Sequence, residues 1–368
     1  MTIHSVALLL DDMGGGGAAR VAASLSAAWA EMGRKVTILT GDDGQRPSHY
    51  PLHPTVAHQP LALHAPSRGP LAAVRANLGR LARLRRTIRS LSPDLIVSFL
   101  DTVNVRCLLA TRGLGIPVLV SERTDPHGRS IGLAWEGLRL LTYPWSGGLV
   151  VQSQHALAYF PPRIRAKGLV IPNPVLPAPE AVPAPRGDRL AVVTLGSLRS
   201  VKGQDQLIEA FALLADQFPR WDLWIHGEGP AREALEAQVQ ALRLEARVHL
   251  PGSTAETTAR LREGDLFVLP SRAEGFPNAL AEAMACGLPV VSFDCASGPR
   301  DLIRNGMDGI LVPPGDIPAL ATAMAQLMAD PSERGRLSAC APEVVKRFSV
   351  EKVLELWEQA LQRALWSR

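Results

Sequence analysis

The 368-residue chain exceeds what one hydrophobic core usually organises, so its length predicts about two domains. Hydrophobic residues make up 46% and charged residues 20%, a composition that excludes a disordered or collagen-like chain. The formal charge is +4 and aromatic residues are only 5%. With no recognition-helix or zinc-finger pattern, this favours a phosphate or an anionic membrane face over nucleic acid as the partner.

The first half has the pattern of a doubly wound α/β domain. A short apolar run at residues 6–10 precedes four glycines, an Ala-rich helical stretch at residues 18–32 and a second apolar run at residues 36–40. This order predicts a βαβ opening. Further buried strands of a mainly parallel sheet are predicted at residues 95–100, 118–121 and 149–152. The first domain should therefore cover residues 1–171.

A proline-rich segment separates the halves, with six prolines between residues 172 and 185. Such a composition resists helix and sheet, so residues 172–186 are predicted to be a semi-rigid linker. The α/β alternation then repeats over residues 187–347. Its strands are predicted at residues 191–195, 223–226, 248–250, 266–269 and 289–293. The last helix, residues 350–366, has helical apolar spacing. Periodicity leaves open whether the segment 348–368 packs on the second domain or crosses back to the first.

The cysteine spacing and the length of the apolar runs indicate where in the cell the protein is expected. Neither Cys-x-x-Cys nor His/Cys spacing occurs, which argues against a disulfide framework and a structural zinc. The run at residues 6–10 is short for a signal peptide, and no stretch reaches the ~18 apolar residues of a membrane span. We therefore expect a cytoplasmic protein, soluble or peripheral on the inner face of the cell membrane.

Two domains of this kind are expected to face each other across a cleft at the carboxyl ends of their sheets, where α/β proteins bind ligands. The strand at residues 191–195 runs into a loop that carries Arg199 and Lys202, where a phosphate would lie. Two solvated basic residues are the alternative for that loop.

Glu274 and Glu282 are separated by a Gly-Phe-Pro turn that opens a helix. Pro277 suits the first helical position, so Glu274 is predicted on the loop and Glu282 in the second helical turn, both facing one pocket. Unpaired N–H groups of Asn278 and its neighbours favour an anion such as a diphosphate. Alone, Glu282 would be expected only to complement the helix dipole. The pair, with Lys202 upstream, favours nucleotide-sugar chemistry.

The glycines at residues 14–17 also fit the Gly-x-Gly-x-x-Ala fingerprint of dinucleotide-binding proteins. Asp42 or Asp43 ends the second strand, where a nicotinamide enzyme would bind ribose. An NAD(P)-dependent oxidoreductase is therefore the rival hypothesis. The insertion of residues 11–13 lengthens the turn, and the fingerprint does not explain the motifs of the second half.

Over nearly its whole length the chain resembles the retaining glycosyltransferases of family GT4, which have the GT-B fold of two Rossmann-like domains. Positions that match the family's Gly-Arg-Leu-x-x-x-Lys-Gly loop and Glu-x7-Glu motif are Lys202, Gly203, Glu274 and Glu282. Ser197 stands where the family commonly has a diphosphate-binding arginine. Either Arg199 substitutes for that arginine, or Lys202 acts with backbone amides alone.

Four further segments resemble the branch of the family that builds polysaccharides and lipid-linked oligosaccharides, including N-acetylgalactosaminyltransferases. They are residues 14–20, 121–126, 171–174 and 297–301.

The resemblance implies metal-independent transfer of a hexose or N-acetylhexosamine, with retention, from a nucleotide diphosphate sugar. It favours UDP as the nucleotide and a glycolipid, polyprenyl-linked glycan or growing polysaccharide as the acceptor. No cofactor is implied, and Asp-x-Asp, the metal-bridging motif of GT-A enzymes, is absent from the sequence. A non-catalytic nucleotide-sugar sensor is the other alternative.

The implied roles are specific. Lys202 and Arg199 would stabilise the leaving diphosphate, Glu274 would bind the sugar and Glu282 the ribose. The donor-binding residues would be Gly16, Gly17, Ser197, Lys202, Gly203, Glu274, Gly275, Phe276, Pro277, Asn278 and Glu282.

Acceptor contacts are predicted in the first domain. Glu122, Arg123 and His127 follow the strand at residues 118–121, and Arg20 lies at the start of the first helix. Any of these is alternatively a surface residue.

A basic amphipathic helix is predicted at residues 68–89. Its arginines are Arg68, Arg75, Arg80, Arg83, Arg85, Arg86 and Arg89. It suggests either an anionic membrane surface or a core-packed helix with an Arg-rich solvent face.

Overall fold

The computed structural model describes residues 2–63, 70–128, 130–179 and 188–366. The chain divides into two compact units. Unit 1 comprises Met1–Asn173 and Glu351–Arg368, and unit 2 comprises Pro174–Val350. Arg68 and the 180–186 part of the predicted linker lie outside the described residues.

Unit 1 is built on a parallel sheet of seven strands within its described residues, in the order β3-β2-β1-β4-β5-β6-β7. The strands are β1 (Ser5–Leu10), β2 (Lys35–Thr40), β3 (Ala57–Pro60), β4 (Leu95–Phe99), β5 (Val118–Ser121), β6 (Gly148–Val151) and β7 (Gly168–Val170). Helices cover the sheet and are α1 (Gly16–Glu31), α2 (Pro70–Leu91), α3 (Asp101–Thr111), α4 (Leu133–Thr142), α5 (Gln154–Ala158) and α6 (Pro162–Arg165). The strand order reverses direction beside β1, as in doubly wound folds.

Unit 2 repeats this plan with six parallel strands among its described residues, in the order β10-β9-β8-β11-β12-β13. They are β8 (Leu190–Leu195), β9 (Trp221–His226), β10 (Val248–Gly252), β11 (Leu266–Leu269), β12 (Val290–Phe293) and β13 (Ile310–Val312). The helices are α7 (Gln204–Ala212), α8 (Arg232–Ala241), α9 (Thr257–Arg262), α10 (Asn278–Ala285), α11 (Pro299–Leu302), α12 (Ile317–Ala329), α13 (Pro331–Cys340) and α14 (Glu343–Arg347). The predicted pair of parallel, doubly wound α/β sheets is confirmed.

The last helix, α15 (Val350–Trp366), packs on the core of unit 1. Trp357 is fully buried there and meets Trp29 edge-to-face, with ring centroids 6.3 Å apart. The Trp29 indole N–H donates to Glu358 at 2.9 Å. The apolar face of this helix therefore packs in the core of unit 1. The sequence periodicity had not distinguished between the two domains.

The described part of the proline-rich segment has no regular secondary structure, but it is held in place. Val175 is buried, and its N–H donates to the Phe348 carbonyl at 2.8 Å within unit 2. No helix in the described residues is both long and apolar enough to cross a membrane.

Candidate functional site

The loops that follow β8 and β11 meet because these strands are parallel neighbours, so their carboxyl ends lie side by side. Lys202 ends a short 3-10 turn after β8, and Gly203 follows it with a left-handed φ of 69°. A Cβ on Gly203 would lie 1.9 Å from the Pro270 carbonyl oxygen, just after β11. Only glycine allows the two loops to approach this closely.

Lys202 and Glu274 form an ion pair at this junction. The ammonium Nζ lies 2.7 Å from Oε1 and 2.8 Å from Oε2 of Glu274. The Ser271 hydroxyl also donates to Glu274 Oε1, at 2.6 Å. The Glu274 side chain is 6% exposed and that of Lys202 is 28% exposed, so a buried carboxylate holds a cation that still reaches solvent.

Arg272 joins the same two loops on their outer side. Its guanidinium donates two hydrogen bonds to the Asp205 carboxylate, at 2.8 and 2.6 Å, and a third to the Ser200 carbonyl at 2.6 Å. The bonds from Arg272 lower the pKa of Asp205. A bidentate pair of this kind fixes geometry, although its exposure limits its contribution to stability. Arg272 and Asp205 thus position Lys202 and Glu274.

The loop after β12 supports the Gly-Phe-Pro turn. The Ser297 hydroxyl donates to the Gly275 carbonyl at 3.2 Å. Gly298 has a φ of 97°, and a Cβ there would lie 2.5 Å from Cδ of Pro277. Cys295 is buried nearby, and burial, reinforced by the charge of Glu274, raises the pKa of its thiol to about 12.

Two details of the predicted helix start are corrected. Pro277 is the N-cap, one residue before α10, and not its first residue. The N–H of Asn278 donates to the Phe276 carbonyl at 3.0 Å, so it is not available to an anion. Phe276 is buried, whereas Asn278 and Glu282 are half-buried, with Glu282 in the second turn of α10.

Ser197 and Arg199 flank the buried Leu198, and both side chains are exposed. The Ser197 carbonyl accepts a hydrogen bond from the buried Gln204 side chain at 3.1 Å, which ties this loop to the start of α7.

Two glycines after β9 lie against the same loop, and they were not part of the sequence-based site. A Cβ on Gly227 would lie 1.9 Å from the Gly196 carbonyl oxygen, and one on Gly229 would lie 2.3 Å from that of Leu198. The signal for them in the sequence was a Gly-Glu-Gly-Pro run directly after a strand.

In unit 1, the glycines of the first loop form the start of α1. Gly15 is the N-cap with φ 126°, Gly16 has φ 86° and Gly17 continues the helix. Arg20, one turn later, is half-buried beside Tyr50. Burial lowers the pKa of Arg20 and raises that of Tyr50.

Glu122 is buried, which the sequence did not indicate. It accepts a hydrogen bond from the Tyr143 hydroxyl and lies 3.7 Å from Arg139. Burial raises the pKa of Glu122 to about 7, even though the bond from Tyr143 acts in the opposite direction.

Arg123 is buried as well. It donates to Asn173 at 2.9 Å and lies over the ring of Trp357 at 5.2 Å. Burial lowers its pKa to about 9. These contacts indicate a structural role in unit 1 for Arg123 and for Glu122.

His127 is the exposed member of a separate group. It lies beside Asp125 and against the ring of His155, with ring centroids 4.2 Å apart.

The arginines of α2 divide between two roles. Arg83 donates to the Leu61 carbonyl at 3.0 Å. Arg85 donates to the carbonyls of Ala110 and Arg112 at 2.8 and 2.7 Å, at the carboxyl end of α3. Leu84 and Ile88 are buried in the core, whereas Arg75, Arg86 and Arg89 are exposed. The helix is therefore core-packed and carries an arginine face towards solvent.

Family models match both halves of the chain. The one described as Glycosyltransferase Family 4 matches residues 15–178, and the one described as Glycosyl transferases group 1 matches residues 180–344. The chain is 38% identical over 159 residues to an exopolysaccharide phosphotransferase of Streptomyces coelicolor. That match spans 43% of this chain and only 17% of the relative.

A longer match is to a Campylobacter jejuni enzyme named GalNAc-alpha-(1->4)-GalNAc-alpha-(1->3)-diNAcBac-PP-undecaprenol alpha-1,4-N-acetyl-D-galactosaminyltransferase. It is 27% identical over 276 residues, which cover 74% of this chain and 76% of that enzyme. Among solved structures, that of Anabaena HepE with UDP and glucose has the same fold, with a TM-score of 0.81 and 20% identity over 98% of this chain and all of that one. The two family matches, together with the two parallel sheets, show that this chain belongs to the GT4-type glycosyltransferases with the GT-B fold.

Proposed function

We propose that this chain transfers a hexose or N-acetylhexosamine from a UDP-sugar to a hydroxyl of a polyprenyl-linked glycan or growing polysaccharide. Transfer would proceed with retention and without a metal at the diphosphate. The observation that carries the proposal is the Lys202 ammonium held on both carboxylate oxygens of Glu274, at the carboxyl ends of β8 and β11.

Lys202 can act on the diphosphate without leaving Glu274. An ammonium has three donors, and two of them serve Glu274, so the third is left for a phosphate oxygen. A cation already fixed by a buried carboxylate needs no reorganisation when charge develops on the departing oxygen. Arg199, exposed on the same loop, would supply a second cation.

Glu274 retains acceptor capacity for the sugar. Within the described part of the chain, its Oε1 accepts from Ser271 and Lys202, whereas Oε2 accepts from Lys202 alone. A carboxylate oxygen can accept about two hydrogen bonds, so Oε2 has room for a sugar hydroxyl. Glu282, half-buried in the second turn of α10, is proposed to bind the ribose hydroxyls. No covalent nucleophile is needed if the acceptor attacks from the face that the diphosphate leaves.

The acceptor class is taken from the relatives. The Campylobacter enzyme is named for a glycan on an undecaprenyl diphosphate, and the Streptomyces protein for an exopolysaccharide. A screen of UDP-, GDP- and ADP-sugars, with and without polyprenyl-linked acceptors, tests donor and acceptor separately. Retention is read from the anomeric configuration of the product by NMR, and metal independence from turnover in EDTA.

The decisive variant is Lys202→Ala. Loss of one preorganised donor to developing charge should lower kcat by about 10² to 10³. Lys346→Ala, at an exposed lysine of the same unit, is the matched control and should keep full turnover. Full turnover by a folded Lys202→Ala protein would reject the proposed role of Lys202.

A non-catalytic nucleotide-sugar sensor remains the second candidate, because the family fold does not fix turnover. Binding of a UDP-sugar without hydrolysis or transfer to any acceptor would favour it. The family matches on both halves argue against the NAD(P)-dependent oxidoreductase, which the glycines of unit 1 alone had suggested.

We also propose that the arginine face of α2 contacts anionic lipid. Arg75, Arg86 and Arg89 are exposed, and each basic residue near an anionic surface adds about 1 kcal/mol of attraction. Replacing all three by glutamine should abolish sedimentation with phosphatidylglycerol vesicles but leave sedimentation with neutral vesicles unchanged. Undiminished binding by the triple variant would reject this surface.

A further inference from the structure

Asp125, His127 and His155 form a side-chain cluster in unit 1 that has no part in the proposed binding of the donor. Asp125 and His127 lie in the loop after β5, and His155 is the second residue of α5, after β6. Since β5 and β6 are parallel neighbours, their carboxyl ends bring these segments together.

The three side chains bring potential ligand atoms close to one another. Nδ1 of His127 lies 3.3 Å from Oδ1 of Asp125, and Nε2 of His155 lies 3.7 Å from Oδ2. One nitrogen or oxygen atom from each residue lies within 4.8 Å of the others. Ligands at the usual ~2.0–2.1 Å from a tetrahedral zinc ion are about 3.4 Å apart, so small rotations of two half-exposed rings would complete the geometry.

Asp125 is fixed for such a role. Its side chain is 7% exposed, and its Oδ1 accepts the backbone N–H of His127 at 3.1 Å. Among the described residues, its ion-pair partners are the two imidazoles, and no lysine or arginine forms an ion pair with it. A buried carboxylate requires a cationic or hydrogen-bonding partner, and a metal ion shared with the two imidazoles can supply one.

The rings themselves are held but accessible. The rings of Tyr159 and His127 pack at 84° to each other, with centroids 5.1 Å apart. The side chains of His127 and His155 are 39% and 35% exposed, so a hydrated cation can reach them.

We propose that Asp125, His127 and His155 bind one divalent transition-metal ion of the zinc class. Two imidazole nitrogens and one carboxylate oxygen are ligands that such ions accept, and three protein ligands leave a fourth position for water or another ligand. The ion joins the loop after β5 to α5. This site lies in unit 1, whereas the Lys202–Glu274 pair belongs to unit 2.

The test uses the untagged full chain after removal of metal with a chelator. Calorimetric titration with Zn²⁺ should show one equivalent bound per chain, and Co²⁺ should give visible absorption bands without the intense near-ultraviolet band of thiolate ligation. His127→Ala and His155→Ala should each weaken binding at least ~100-fold, since even the loss of an outer-shell partner costs 10 to 100-fold.

His249→Ala is the matched control. His249 also lies beside a carboxylate, 3.9 Å from Asp222, and stacks on an aromatic ring, yet it is outside the cluster. This variant should bind Zn²⁺ as the wild type does. Absence of stoichiometric binding to the wild type would overturn the proposal. Unchanged affinity in the His127→Ala/His155→Ala double variant would overturn it as well, because the ion would then bind elsewhere in the chain.

Discussion

Gly203 sets the distance between the two loops that carry Lys202 and Glu274. Its backbone is left-handed, and a side-chain carbon at this position would lie 1.9 Å from the Pro270 carbonyl oxygen, so only a hydrogen atom fits. Any larger residue must therefore shift one of the two loops relative to the other. Replacing Gly203 by alanine can thus alter the Lys202–Glu274 pair by moving the backbone that carries it.

Gly203→Ala should destabilise unit 2 and lower kcat/KM together. The left-handed conformation alone costs an alanine about 1–2 kcal/mol, and the clash with a carbonyl adds to this. Gly79→Ala is the control, because Gly79 is exposed within α2 with open space around it and should gain about 0.5–1 kcal/mol. Urea unfolding and donor hydrolysis measure both effects. A Gly203→Ala protein with wild-type stability and turnover would contradict the argument.

Glu122 should make stability depend on pH. Burial raises its pKa in the folded chain to about 7, above the ordinary 4.5, so the folded state holds a proton that the unfolded state releases. The contribution of Glu122 to the free energy of unfolding is fully present below about pH 4.5 and is lost as the pH rises through about 7. The slope is at most about 1.4 kcal/mol per pH unit in that window.

Glu122→Gln tests this dependence, because glutamine keeps the shape and a neutral acceptor for Tyr143. Urea unfolding between pH 5 and 8 should show a flatter stability profile for the variant than for the wild type. Identical profiles would mean that Glu122 does not titrate in this range.

Motif spacing in the sequence predicted Lys202, Gly203, Glu274 and Glu282 as site residues. It could not predict the side chains from distant segments that hold them in place. Arg272 binds the Ser200 carbonyl and the Asp205 carboxylate, about seventy positions upstream, and only strand adjacency brings those segments together. Glu122 directly follows a strand and was therefore predicted to contact a ligand. Its partners, Tyr143 and Arg139, follow it by about twenty residues, so nothing local indicated its burial.

At the scale of elements, the strands that the sequence analysis missed lie at sheet edges. β3, β7 and β13 are edge strands, and their residues are exposed or only half-buried along most of their length. Central strands of parallel sheets are apolar on both faces and therefore stand out as apolar runs. Edge strands are short and often lack that run, so the pattern that found the centre of each sheet found the edge strand β10 but missed these three.

Trp357 should contribute strongly to the stability of unit 1. It is fully buried among Trp29, Phe99 and Arg123, and truncating a buried tryptophan typically costs about 3–5 kcal/mol. Trp366, on the same helix, is 74% exposed, and Trp366→Ala should change stability by less than about 0.5 kcal/mol. Thermal unfolding compares the two variants. Equal effects would show that α15 does not dock through its apolar face.

At the scale of the whole molecule, each unit has hydrophobic core clusters of its own. A ligand that binds chiefly one unit should therefore stabilise that unit first. UDP at 100 times its Kd should add about 2.7 kcal/mol to the unit that binds it.

Hydrogen–deuterium exchange can locate this effect. With UDP, protection should increase most in the loops at residues 196–204 and 271–282 of unit 2. Unchanged exchange in those loops, with protection confined to unit 1, would contradict donor binding at the Lys202–Glu274 pair.

The return of α15 to unit 1 has a consequence for biosynthesis. Unit 2 is a continuous segment, Pro174–Val350, inserted between two pieces of unit 1. Trp29 and Phe99, made early, must wait for Trp357 before their shared core is closed. During translation unit 2 can therefore fold before unit 1 is complete, which reverses the usual amino-to-carboxyl order. Until α15 leaves the ribosome, the nascent unit 1 keeps an uncovered apolar face. Chaperones can bind that face.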